Sequence, residues 1–235
     1  MTPPRNTTIL IIARTRMQEG RRCLGGLVVS EPWYNNYLES VRLLKNCRNN
    51  PSRYFQEDSP FEVGQHWRID FSGCNANPPH SEDVSVSSYD YHSTEDDLAG
   101  FLESNRSRLR DRDRWFEGGV KELFTPDMET TSTGLGLFYE SDLPSISTAF
   151  WVPDRDLHRI EKEETTDRYR YPDVDPFALE DTGGELSLAS MRDLPDIIPE
   201  GTVCRVSLTQ PIRFDNESDD QEKRSFLQLS DAYVD

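Results

Sequence analysis

The stretch TTILIIARTRMQEGRRCLGGLVVS, residues 7–30, decides how the fold is read. Thr7 to Arg14 is a β-branched, apolar run and reads as a buried strand. Gln18-Glu19-Gly20 is a polar turn, and Arg22 to Ser30 reads as the next strand. The Gly25-Gly26 pair would weaken that strand unless it marks a bulge or a close backbone approach. Charge gathers at the same turn, where Arg16, Arg21 and Arg22 fall together.

Strand signals continue on the C-terminal side. Leu38 to Leu44 alternates enough for a third strand, with Arg42 on the face opposite Val41 and Leu43. Asn46 to Pro60 is turn-rich. His66 to Ser72 sets Trp67, Ile69 and Phe71 against Arg68 and Asp70, a fourth strand with one wet face. Four short strands so close together predict a small antiparallel sheet or barrel.

The middle of the chain reads differently. Cys74 to Tyr91 is rich in Pro, Ser, Asn and Asp and is expected to be a long loop. Glu95 to Leu109 has helical spacing, with Ser93 or Thr94 as the cap and an alternating-charge, solvated end. Trp115 to Phe124 reads as a second short helical piece. Strands return at Ser147–Val152, Leu157–Ile160 and the DRYRYPD segment. Pro172 to Pro199 is an acidic loop with a short helix near Leu188–Asp193. Thr202–Leu208 and Ser225–Leu229 close the chain as strands joined by the hairpin loop FDNESDDQEK. The expected organisation is mainly β: a barrel over residues 1–75, a loop and helical insertion over 76–144, and a second barrel over 145–235.

The chain carries 43 Asp and Glu against 26 Lys and Arg, a net charge of −17. Only four of the bases are lysine, which fits adaptation to high salt or a GC-rich codon bias. The 34% hydrophobic content is low, but 10% aromatic residues and several apolar runs argue for a folded core. Residues 1–56 hold nine bases and three acids, so this segment is +6 and the rest −23. Such a segment can bind an anion while the remainder repels loose partners, or its arginines can pair with carboxylates of the second half.

The apolar run Ile9–Ala13 is too short to cross a membrane, and a cytoplasmic protein is expected. Cys23, Cys47, Cys74 and Cys204 lack the close spacing of a zinc knuckle or redox motif, so free thiols and no bound metal are expected. The GLG at 134–136 lacks the Walker residues, and no nucleophile elbow is present. His80 and His92 have no ligand spacing, and Glu82, Asp83 and Glu95–Asp97 carry no signal in so acidic a chain. The expectation is a non-enzyme without a cofactor.

ARTRMQEGRRCLGG resembles the opening of the prokaryotic dual OB-domain proteins. In that family an Asn-Ser-Arg-Lys segment ends strand one and a Gly-Arg-Cys-x-x-Gly segment opens strand two. Those elements fall on Arg16, Arg22, Cys23 and Gly26, with Arg14 in place of the asparagine and Met17 in place of the lysine. Pro79-His80-Ser81-Glu82 is similar to the family's His-rich linker motif, Val206 to Ile212 to its Ser-Leu-Gly-Glu-Pro segment, and FLQL to its closing strand. The resemblance implies two OB-like β-barrels in tandem, part of a prokaryotic defence or mobile-element system, with single-stranded DNA or RNA as ligand. Arg14, Arg16, Arg21, Arg22 and Arg42 are then candidate phosphate contacts, Trp67, Tyr34 and Tyr37 candidate stackers, and His80 a further candidate contact. Aromatic residues in small barrels are more often core. The competing class is a protein-interaction module for a basic partner, which the net charge favours.

Overall fold

The computed structural model describes residues 7–29, 38–48, 50–74, 78–120, 123–124, 128–131, 134–162, 166–172, 186–190, 194–214, 218 and 220–234. The chain divides into two compact units, Met1–Asp111 and Arg112–Asp235.

The first unit contains β1 (Thr7–Arg16), β2 (Arg21–Val28), β3 (Ser40–Leu44), β4 (Phe55–Gln56), β5 (Gln65–Gly73) and β6 (Asp83–Thr94). β1 pairs antiparallel with both β2 and β5, β2 with β3, and β5 with β6; β3 and β6 run parallel. The ring β1–β2–β3–β6–β5–β1 therefore closes as a five-stranded barrel. Its order, with the parallel contact between the third and last strands of the ring, is that of an OB-like barrel.

β1 can serve two partners because it is apolar on both faces and shifts register between Ile11 and Ala13. Ile9, Ile11, Leu24, Val28, Leu43 and Ile69 fill the interior. Phe61, from the turn between β4 and β5, is fully buried among them, edge-on to Phe55 and Trp67. The glycine pair is explained here. A β-carbon on Gly26 would overlap Ile9 Cγ2 and press on the Leu10 carbonyl and Val41, so the close approach is strand against strand. Gly26→Ala is expected to lower the stability of this unit by about 1–3 kcal/mol through overpacking; urea unfolding checks it, and no change would mean the barrel wall can move.

Four expectations change in this unit. Residues 83–94 form β6, although Cys74–Tyr91 read as a loop; the alternation of Val84, Val86, Tyr89 and Tyr91 is broken by the extra residue Ser87, and residues 87–94 are exposed. The first unit accordingly runs past residue 75. The helical segment splits at Asn105 into α1 (Leu98–Ser104) and α2 (Arg106–Arg110), and Asp97 caps α1 by accepting from Gly100 N at 2.8 Å. Ser93 and Thr94 belong to β6. Finally, Cys47 and Cys74 are not free thiols but form a disulfide, with 5.3 Å between their Cα atoms. Leu44 pairs with Ser85 and Gly73 with Val84, so the ends of β3 and β5 flank the start of β6 and bring the two cysteines together.

The second unit holds β7 (Trp115–Gly118), β8 (Glu129–Thr130), β9 (Gly136–Tyr139), β10 (Thr148–Pro153), β11 (Leu157–Lys162), β12 (Asp167–Tyr171), β13 (Leu186–Ser190), β14 (Ile197–Ile198), β15 (Val203–Leu208) and β16 (Arg224–Tyr233). They form a curled half-barrel sheet in the order β14–β11–β12–β13–β16–β15–β10–β7, with β8 and β9 attached at β16. β10 and β11 are separated by only three residues after Pro153. Taken as one interrupted strand, they pair with β15 and β12, and the β13–β16 contact is parallel, which reproduces the order of the first barrel. Trp151, Tyr169, Leu188, Val206 and Leu229 are fully buried in its core. Trp115–Gly118, expected to be helical, is a strand parallel to β10. Leu188–Ser190, also read as helical, lies in β13, while residues 191–193 are outside the described residues. Among the described residues no helix is long and apolar enough to cross a membrane.

Candidate nucleic-acid interface

The β1–β2 hairpin turns through Glu19 and Gly20, both with left-handed backbone (φ 59° and 66°). Met17 N donates to the Arg21 carbonyl at 2.9 Å, and Arg16 lies opposite Arg22 in the ladder. This tight turn holds Arg14, Arg16, Arg21 and Arg22 on one corner. Burial pushes the Arg22 guanidinium below its ordinary pKa, Glu57 opposes this, and the nearby Arg14 and Arg16 add to the lowering. Arg14, Arg16 and Arg22 are thus electrostatic neighbours, while Arg21, one residue before Arg22 in β2, lies on the alternate face.

The carboxylates that meet them come from the same unit. The segment after β4 is pinned along the hairpin: Glu57 N donates to the Gly20 carbonyl at 2.7 Å, and Gly64 N to that of Ile11 at 2.9 Å. Arg14 donates to both Glu62 carboxylate oxygens, at 2.8 and 3.0 Å, and to the Glu57 carbonyl. Arg22 pairs with the Glu57 carboxylate and Arg21 with that of Glu19. Arg16 is exposed and has no ion pair among the described residues.

Three candidate contacts lie inside the unit instead. Arg42 is buried and grips Asp83 with two hydrogen bonds, the Nη2–Oδ2 bond being 2.7 Å. Burial is the largest influence and lowers its pKa; the Asp83 hydrogen bonds together with the charge interactions of Cys23, Asp83 and Tyr54 outweigh it and hold the group above its ordinary value. Arg53 stands 3.9 Å from the same carboxylate and donates to Tyr54 Oη at 2.8 Å. Trp67 is buried in the core, with Nε1 donating to Gln65 Oε1. His80 is buried at 4% exposure, out of a ligand's reach. Tyr34 and Tyr37 lie outside the described residues.

OB-type barrels bind oligonucleotides across strands two and three and the loops beside them. Here all five residues of β3 are buried, and so are six of the eight in β2, so this unit offers the hairpin corner and not the strand face. The exposed aromatic pair the sequence reading missed is Tyr89 and Tyr91 on β6. Tyr91 was the last residue of the expected loop, and their spacing by two on a strand was the available signal.

In the second unit Cys204 is buried, which pushes its thiol up and keeps it protonated. A cleft of about 300 Å³ there is lined by Glu129, Tyr139, Asp142 and Glu222 among others, a lining that repels anions. Among the described residues no group of three His, Cys, Asp or Glu side chains could hold a metal ion. No protein-family model matches the chain, and no curated protein matches it.

Proposed function

We propose that the chain is a non-catalytic, dual OB-like binding module, of the kind found in prokaryotic defence or mobile-element systems, whose first barrel holds single-stranded DNA or RNA. The observation that supports this reading is the four-arginine corner on the loop between the first two barrel strands. The carboxylates of Glu19, Glu57 and Glu62 are exposed although Arg22 is buried, so a phosphate can reach the pairs of the half-buried Arg14 and Arg21 and compete for them. Arg16 and Arg21 make the direct phosphate contacts. Arg14 and Arg22 hold the segment carrying Phe61 against the hairpin and lend their charge to the site. The second unit, with 13 bases and 28 acids, rejects loose polyanion binding.

A second reading rests on that same acidity: a basic protein partner for residues 112–235. The cytoplasmic expectation is less favoured, because a disulfide such as Cys47–Cys74 persists mainly in oxidising surroundings.

Anisotropy of labelled oligo-dT, oligo-U and a DNA duplex, measured over a salt series with the full chain, tests the proposal. Preferential binding of the single strands that weakens as salt rises is expected. Absence of binding at low salt would leave the basic-protein reading in its place.

A further inference from the structure

β6 outruns its neighbours. Its contact with β3 ends at Ser85, while its pairing with β5 continues to Thr94. Residues 87–94 are exposed throughout, and no described residue bonds their backbone on the side away from β5. Register shifts leave Ser87 and His92 as extra residues, so the regular edge is Ser88-Tyr89-Asp90-Tyr91. Tyr89 and Tyr91 are 46% and 50% exposed on the same face. Trp67 backs both rings, at 5.8 and 5.6 Å, and Phe61 backs Tyr89 at 4.9 Å.

An open edge is a template for another strand, and proteins commonly guard it with lysine or proline. β6 has neither. Its charges are acidic instead: Asp90 in the centre, then Glu95, Asp96 and Asp97 just beyond its end. A second copy would bring acid against acid. A basic segment would meet both the carboxylates and the faces of two supported tyrosines, where cations are attracted.

We infer that the Ser88–Tyr91 edge of β6 binds an extended, basic segment of a partner protein by strand addition. Main-chain hydrogen bonds to the edge supply affinity. Alternate side chains supply selectivity, one face lying on Tyr89 and Tyr91 and lysine or arginine meeting the acids. Strand addition rests on β6 and does not depend on nucleic-acid binding at the arginine corner.

The test is an amide NMR titration of the full chain with a heptapeptide alternating Lys and Val. Its controls are a Glu/Val analogue and a Lys/Val peptide N-methylated on its alternate edge-facing amides. Shifts centred on Ser88–Tyr91 are expected, with affinity at least tenfold lower for both controls. Tyr89→Ala/Tyr91→Ala should weaken binding at least threefold, and Asp90→Lys should reverse the preference between the Lys and Glu peptides; native-like spectra of both variants confirm that they fold. The inference fails if no shifts occur or if they fall elsewhere. It also fails if N-methylation is harmless or if the chain dimerises through this edge.

Discussion

Replacing Asp83 with alanine is expected to destabilise the first unit by about 3–5 kcal/mol, because it strands a buried cation. Arg42 and Asp83 are 7% and 3% exposed, and Arg53 at 6% shares the carboxylate. The residues are opposite one another in the parallel β3–β6 contact that closes the barrel, so the loss falls where the ring is joined. In urea, with a slope of about 2 kcal/mol per molar, the transition of the first unit should fall by about 2 M. Replacing the pair together, as Arg42→Met with Asp83→Leu, should recover most of the loss, since apolar substitutes for buried ion pairs are often neutral. A loss under about 1 kcal/mol for Asp83→Ala would show that water reaches Arg42, and that residue would return as a phosphate contact.

Losing the disulfide should cost a similar amount. The two cysteines are 27 residues apart, and closing a loop of that size is worth about 3–4 kcal/mol in the chain-entropy account. Cys47 is exposed and Cys74 half-buried, so a thiol reductant reaches the bond. Addition of dithiothreitol and the Cys47→Ser/Cys74→Ser variant should lower the melting temperature of the first unit alike. Thiol titration of the denatured protein should find two reactive groups, Cys23 and Cys204, and four after reduction. Four thiols before reduction, with a melting temperature indifferent to reductant, would contradict the bridge.

Both predictions concern features hidden in the sequence for one reason. β1, β2 and β10 were legible because each is a local apolar run, and β5 because its alternation is local. The Cys47–Cys74 bridge and the Arg42–Asp83 pair become visible only once β6 is placed, and in β6 the alternation is broken at Ser87. This strand is held by backbone pairing to β5, and its apolar residues are spaced by Ser, Asp and a bulge at Ser87, so VSVSSYDYHST passes for a loop. The arginine corner was half legible. The hairpin and its charge were readable, whereas Glu57 and Glu62 reach the corner from a segment pinned by two backbone hydrogen bonds. Pairing with the acidic remainder of the chain, the alternative weighed for these arginines, describes Arg14, Arg22 and Arg42, which meet Glu62, Glu57 and Asp83, all within the first unit; Arg21 meets Glu19 of its own segment. The glycine pair was readable as a close approach, but not that Gly26 makes it against Ile9 inside the barrel.

The proposed function stands or falls with Arg16 and Arg21. Each phosphate contact to a single strand contributes about 0.7 to the slope of log affinity against log salt. For oligo-dT binding by the full chain, Arg16→Ala/Arg21→Ala should therefore flatten that slope by about 1.4, with the urea transition of the first unit unchanged. An unchanged slope in the folded double variant would contradict the account and make the corner a purely structural clasp.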